Sequence, residues 1–176
     1  MGVLTQLLSA DQRWQPRQHS FPFPRKLSPL SNSGRVHVAA VCYRLRGDEP
    51  EFLLVRTRNG HWTFPKGGVD RDATTADAAA REAYEEAGVR GAVELIPFTA
   101  YRHCKPRKLR SRRHVVTVHA HLCEVKRLVP PLEGYRAPRW FRIDKAKRQL
   151  QKFRTPEFAA ELSSVVDQAA KLIQHR

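Results

Sequence analysis

An α/β fold with a mixed sheet is predicted by three features of the sequence. Two neighbouring apolar runs, Val36 to Tyr43 and Glu51 to Arg58, have the length and residue content of strands. An alanine-rich segment follows, with small residues recurring at steps of three and four. A last amphipathic segment carries Phe158, Leu162, Val165, Val166, Ala169 and Ile173 on one stripe. Strands with helices able to cover both faces make an α/β/α sandwich.

In chain order, residues 1–33 read as an N-terminal arm and 34–176 as the folded domain. Pro16, Pro22, Pro24 and Pro29 break any long helix in the arm, and Ser28, Ser31, Asn32 and Ser33 lead into Gly34. Val36–Tyr43 reads as a buried strand and Gly47–Pro50 as a turn. Glu51–Arg58 is expected to pair antiparallel with the first strand. Asn59-Gly60 signals a turn, and Trp62-Thr63-Phe64 a short extended piece that Pro65 ends.

A helix is expected from Thr75 to Ala87. Thr74 and Asp77 have capping-box spacing, and Gly88 suits a C-cap. Ala73, Ala76, Ala80, Ala83 and Ala87 form the stripe expected against the sheet, with Glu82, Glu85 and Glu86 roughly opposite. Strands are expected at 92–103, 114–125 and 139–141. Thr155-Pro156-Glu157 opens the final helix.

The 176 residues suffice for one domain with a sizeable core. No apolar run approaches the ~18 residues of a membrane span. The first residues lack an early basic cluster, and Gln6 misses the myristoylation pattern. A cytoplasmic protein is expected. The three cysteines, Cys42, Cys104 and Cys123, show no metal-ligand spacing and read as reduced thiols. A net charge of +15 draws anions, either nucleic acid or a heavily phosphorylated small molecule.

Residues 64–89 carry the chemistry. Glu82, Glu85 and Glu86 stand at i, i+3 and i+4 of the expected helix, just after the Gly67-Gly68 turn. Like charges so placed repel by roughly 0.2–0.5 kcal/mol per pair. A hard divalent cation would remove that repulsion and supply catalytic chemistry. A solvated acidic face is the bland alternative. The glycine pair and the Arg81-Glu82 pair weigh against it.

The spacing of Gly67, Arg81, Glu82, Ala83, Glu85, Glu86, Gly88 and Val89 resembles a Nudix box, the signature of hydrolases that split diphosphate linkages. The resemblance implies a Nudix-type sandwich. It implies metal ligation by the Gly67 carbonyl and by Glu82, Glu85 and Glu86, with Mg2+ as default and Mn2+ as substitute. Ala73 stands where that family usually has a glutamate pairing with the box arginine. Asp70 or Asp72 is an alternative partner for Arg81. Arg81 is expected to hold Glu85, four residues on. Glu82 is the first choice as general base, with Glu124 and Glu133 as alternatives.

Three flanking stretches, 38–44, 52–58 with 62–65, and 136–141, are similar to the diphosphoinositol polyphosphate phosphohydrolase branch, which also includes diadenosine polyphosphate hydrolases. That likeness implies phosphate binding by Arg35, Arg58, Lys66, Arg113 and Arg136, and puts His37 where the branch tends to have a basic residue. Arg102, Lys105, Arg107, Lys108, Arg110, Arg112 and Arg113 crowd one inter-strand segment, read as a phosphate-gripping lid, with a solvated hairpin tip and RNA binding as alternatives. The substrate expected is a polyphosphorylated small molecule. The alternatives are nucleotides, for which Trp62, Tyr101 and Tyr135 are candidate base clamps, and a catalytically dead nucleic-acid binder.

Overall fold

The computed structural model describes residues 36–105 and 114–176, without the side chains of 104, 105 and 114. The arm at 1–33, Arg35, and Arg107 to Arg113 of the basic segment lie outside the described residues.

Strand β1 (His37–Arg46) and strand β2 (Glu49–Arg56) form an antiparallel hairpin closed by Gly47 and Asp48. Strand β3 (Trp62–Thr63) turns back to pair antiparallel with the end of β2, and strand β4 (Lys66–Gly68) pairs antiparallel with residues 37–39 of β1. Helix α1 (Thr75–Ala87) has the bounds its sequence predicts. Strands β5 (Val89–Val93) and β6 (Thr99–Lys105) replace the single expected strand at 92–103. They lie end to end along strand β7 (His114–Leu128), both antiparallel to it. Pro97 sits in the break between them, where no ladder donor is available.

β7 runs parallel to β1. Strand β8 (Arg139–Arg142) pairs with β2, so the main path of the mixed sheet is β3-β2-β1-β7-β5. Helix α2 (Ile143–Gln151) follows directly, then helix α3 (Pro156–Gln174).

The period of two along β1 sorts its side chains onto two cores. Val38, Ala40 and Cys42 face the α1 layer with Ala79 and Ala83. Ala39, Val41 and Tyr43 face the α2–α3 layer with Leu150, Leu162 and Val166. Helices thus cover both faces of the sheet, an α/β/α sandwich. Cys42 and Cys123 are buried free thiols, opposed across β1 and β7. Among the described residues no helix is long and apolar enough to cross a membrane.

Candidate active site

Helix α1 delivers the carboxylates. The Thr74 hydroxyl accepts the Asp77 N–H at 3.1 Å and starts the helix. Gly88 ends it with φ of 66°, and its N–H bonds back to Tyr84 at 2.9 Å. A Cβ at Gly88 would lie 1.8 Å from the Val129 carbonyl oxygen, so only glycine fits.

The three glutamates do not all stand opposite the packed face. Glu86 is buried, 3% exposed, among the residues that meet the sheet. Ala79 lies seven residues before it, and two helical turns return to the same side within about 20°. Ala79 also replaces Ala73 and Ala80 in the packed stripe, both of which stay half-exposed.

Glu86 reaches under β4. Its Oε2 accepts the Lys66 backbone N–H at 3.2 Å, and its Oε1 is ion-paired with Arg136. Burial pushes the Glu86 carboxyl up to about 7, against the pull of Arg136 and Lys66. Glu82 is raised too, by burial first and then by Glu85, with Arg81 opposing. The Glu82 carboxylate lies flat against Gly67, where a Cβ would stand 2.0 Å from Oε1. The Gly67 carbonyl oxygen accepts from His37 Nδ1 at 3.1 Å, which places the ring proton on that nitrogen. His37 is therefore turned to the glycine backbone.

Arg81 does not hold Glu85. It is ion-paired with Asp70, donates to the Gly68 carbonyl at 3.0 Å and lies 3.5 Å from Glu82 Oε1. Helical side chains lean toward the N-terminus, which carries the guanidinium back to the β4 turn and away from Glu85. Of the two aspartates raised by the sequence, Asp70 fills the place left by Ala73.

Lys66 and Arg136 act on Glu86, and Arg58 lies over the Tyr135 ring near Glu133, while Arg35 and Arg113 lie outside the described residues. Arg136 is already engaged: besides Glu86 it bonds Glu133 Oε2 through Nε at 2.5 Å. Arg58 and Arg136 lie 5.3 and 5.1 Å from the Tyr135 ring centre, and the Tyr135 hydroxyl donates to Glu133 at 2.8 Å. Tyr135 is 45% exposed, whereas Trp62 and Tyr101 are buried and cannot clamp a base. Glu133 joins the site, its N–H donating to the Glu85 carbonyl at 3.0 Å. Glu124 pairs instead with Lys126 on β7. The Arg136–Glu86 pair and the His37–Gly67 contact have no signal in the sequence, because each joins segments about thirty or more residues apart through side-chain direction alone.

Among the described residues no three His, Cys, Asp or Glu side chains stand at metal-holding geometry. The donor chemistry nevertheless fits a hard divalent cation. Glu82, Glu85, Glu86 and the Gly67 carbonyl offer only oxygens, and two of the carboxylates are raised by burial. Arg136 supplies the positive charge at Glu86.

The family model described as NUDIX domain matches residues 35–162. Diphosphoinositol polyphosphate phosphohydrolase 2 of Rattus norvegicus is 35% identical over 115 residues, covering 64% of this chain and 61% of that protein. The asymmetrical bis(5'-nucleosyl)-tetraphosphatase of the same species is 36% identical over 103 residues, covering 54% of this chain and 67% of its own length. The matched stretches span 24% to 67% of the curated relatives' lengths. The crystal structure of a C. elegans Ap4A hydrolase binary complex superposes with a TM-score of 0.60 at 20% identity, over 81% of this chain and all of that one. At that identity the match shows the shared fold.

Proposed function

This chain belongs to the Nudix family, and from that premise we propose that it hydrolyses a phosphoanhydride linkage in a highly phosphorylated small molecule, of the diphosphoinositol polyphosphate type. One observation carries the reading. Two burial-raised carboxylates, Glu82 and Glu86, lie beside a glycine backbone, with Arg58, Lys66 and Arg136 close by. Carboxylates beside cations suit a substrate of many phosphates, since the cations complement what the carboxylates would repel.

The residues divide the work. Gly67, Glu82, Glu85 and Glu86 would hold Mg2+, or Mn2+, which when bound neutralises a diphosphate and lowers the pKa of a water. Glu82 takes the proton of the attacking water, its raised pKa bringing it nearer the working pH of a base. The water oxygen bonds to one phosphorus and the bond to the bridging oxygen breaks. Arg81, fixed by Asp70, orients Glu82. Arg58, Lys66 and Arg136, with Arg35 and Arg113, receive the outer phosphates.

A second reading rests on Tyr135. Its ring is 45% exposed, which leaves aromatic surface for a nucleobase beside the Arg58 and Arg136 guanidiniums, and this favours a dinucleoside polyphosphate. Chromatography of products from diphosphoinositol polyphosphates, diadenosine polyphosphates and nucleoside triphosphates separates the readings. Preferential cleavage of the first class supports the main one, and preference for the second class replaces it.

A further inference from the structure

We propose that Arg136 is an exchangeable counter-ion of the carboxylate cluster, held by Glu86 in the cation-free protein and released toward a substrate phosphate when a divalent cation binds; this rests on the metal-binding reading of the glutamates.

The pair is built, with both partners nearly buried. Arg136 and Glu86 side chains are 14% and 4% exposed. The same guanidinium bonds Glu133, which also accepts from Tyr135. The Glu133 N–H docks this clip on the Glu85 carbonyl, at the end of α1 that bears the carboxylates. Ala137, the next residue, has φ of 43°, a left-handed conformation that non-glycine residues adopt only where surrounding contacts over-determine it. Arg136 is thus held between Glu86 and Glu133 just before a backbone turn that its surroundings fix.

Chemistry then requires a choice. A guanidinium cannot lose its proton at any relevant pH. Arg136 and a divalent cation beside one buried carboxylate repel each other strongly, because the site is poorly screened. Glu86 holds one or the other well. A guanidinium freed from Glu86 presents a planar fork that matches a phosphate bidentately. Arg136 thus counts once as placeholder and once as phosphate ligand, and cation and polyphosphate binding reinforce each other through it.

Cation binding alone, without substrate, tests this. Mn2+ titration followed by electron paramagnetic resonance is done on wild type, Arg136→Gln, Arg136→Lys and Glu86→Gln. Arg136→Gln is expected to bind Mn2+ about tenfold more tightly than wild type, the effect of removing one neighbouring like charge. Arg136→Lys, which keeps the charge, is expected to stay within about twofold of wild type on the same ground. Unchanged or weaker binding by Arg136→Gln overturns the exchange. Equal Mn2+ binding by wild type and Glu86→Gln instead overturns the metal-site reading itself. Should Arg136→Gln fail to fold, the wild-type Arg136 Nη2–H resonances, which report the Glu86 contact, decide. They are expected to lose their protection from solvent exchange on saturation with Mg2+, and unaltered resonances overturn the proposal.

Discussion

Arg81 is anchored on Asp70, eleven residues before it and outside its own helix. The pair explains how the box tolerates Ala73. A carboxylate reaches the arginine from the turn after β4, where a glutamate at 73 would otherwise supply one. Both partners are partly solvent-exposed, at 34% and 66%, so the pair matters more for placing Glu82 than for stability.

Asp70→Asn is expected to lower kcat by about fivefold, the reach of an exposed ion pair worth up to ~1 kcal/mol. Asp72→Asn should leave kcat near wild type. Ala73→Glu added to Asp70→Asn should restore it. Steady-state kinetics of the four proteins measures this, and failure of the added glutamate to rescue would place the arginine's role elsewhere.

Gly67→Ala should separate activity from stability. Its Cβ would meet Glu82 Oε1 at 2.0 Å, and a flexible carboxylate end yields cheaply. The melting temperature should barely move. Displacing a reacting carboxylate by about 1 Å costs on the order of a hundredfold in rate. A large drop in melting temperature with intact turnover would contradict the placement of Glu82.

Glu86 makes the metal-free protein sensitive to pH. Burial raises its carboxyl from 4.5 to about 7, so the folded state keeps a proton that the unfolded chain releases. Its contribution to stability is complete below pH 4.5 and is lost as pH rises through about 7. At ~1.4 kcal/mol per pH unit the difference is about 3 kcal/mol. Glu86→Gln has no such proton, so urea denaturation of the chelated protein at pH 5 and pH 8 should show a smaller decline than wild type. Parallel declines would mean that Glu86 is well solvated.

Much of the site could be read in the sequence because it is local. Helix α1, its caps and the adjacent glycines lie within some twenty residues, and the spacing alone sets their order. The alternating runs gave β1 and β2 to within a few residues. β4 was missed because Lys66-Gly67-Gly68 has no strand propensity and is extended only by pairing with β1. α2 was missed because Asp144, Lys145, Lys147 and Arg148 leave few apolar markers, chiefly Ile143, Ala146 and Leu150. The burial of Glu86 is not legible from a stripe through Ala80, because it follows from the seven-residue spacing to Ala79.

Tyr135→Ala distinguishes the two substrate readings. Stacking of a base on an aromatic ring is worth ~1–3 kcal/mol. If a dinucleoside polyphosphate is the substrate, KM for it should rise at least about fivefold, which that energy implies. KM for a diphosphoinositol polyphosphate should change little. Equal rises for both would assign Tyr135 to holding Glu133 and Arg136 in place.

The most direct measurement is Mg2+-dependent product formation by wild type and Glu85→Gln on a diphosphoinositol polyphosphate. The Glu85 charge stands close enough to Glu82 to raise its carboxyl, and Glu85 does not belong to the core. Wild type should release inorganic phosphate only with the cation present. The variant should fold normally and lose about a thousandfold in kcat, the several kcal/mol that a catalytic metal supplies. Full turnover by Glu85→Gln at limiting Mg2+, or wild-type turnover undiminished by chelation, would contradict metal-assisted hydrolysis at this site.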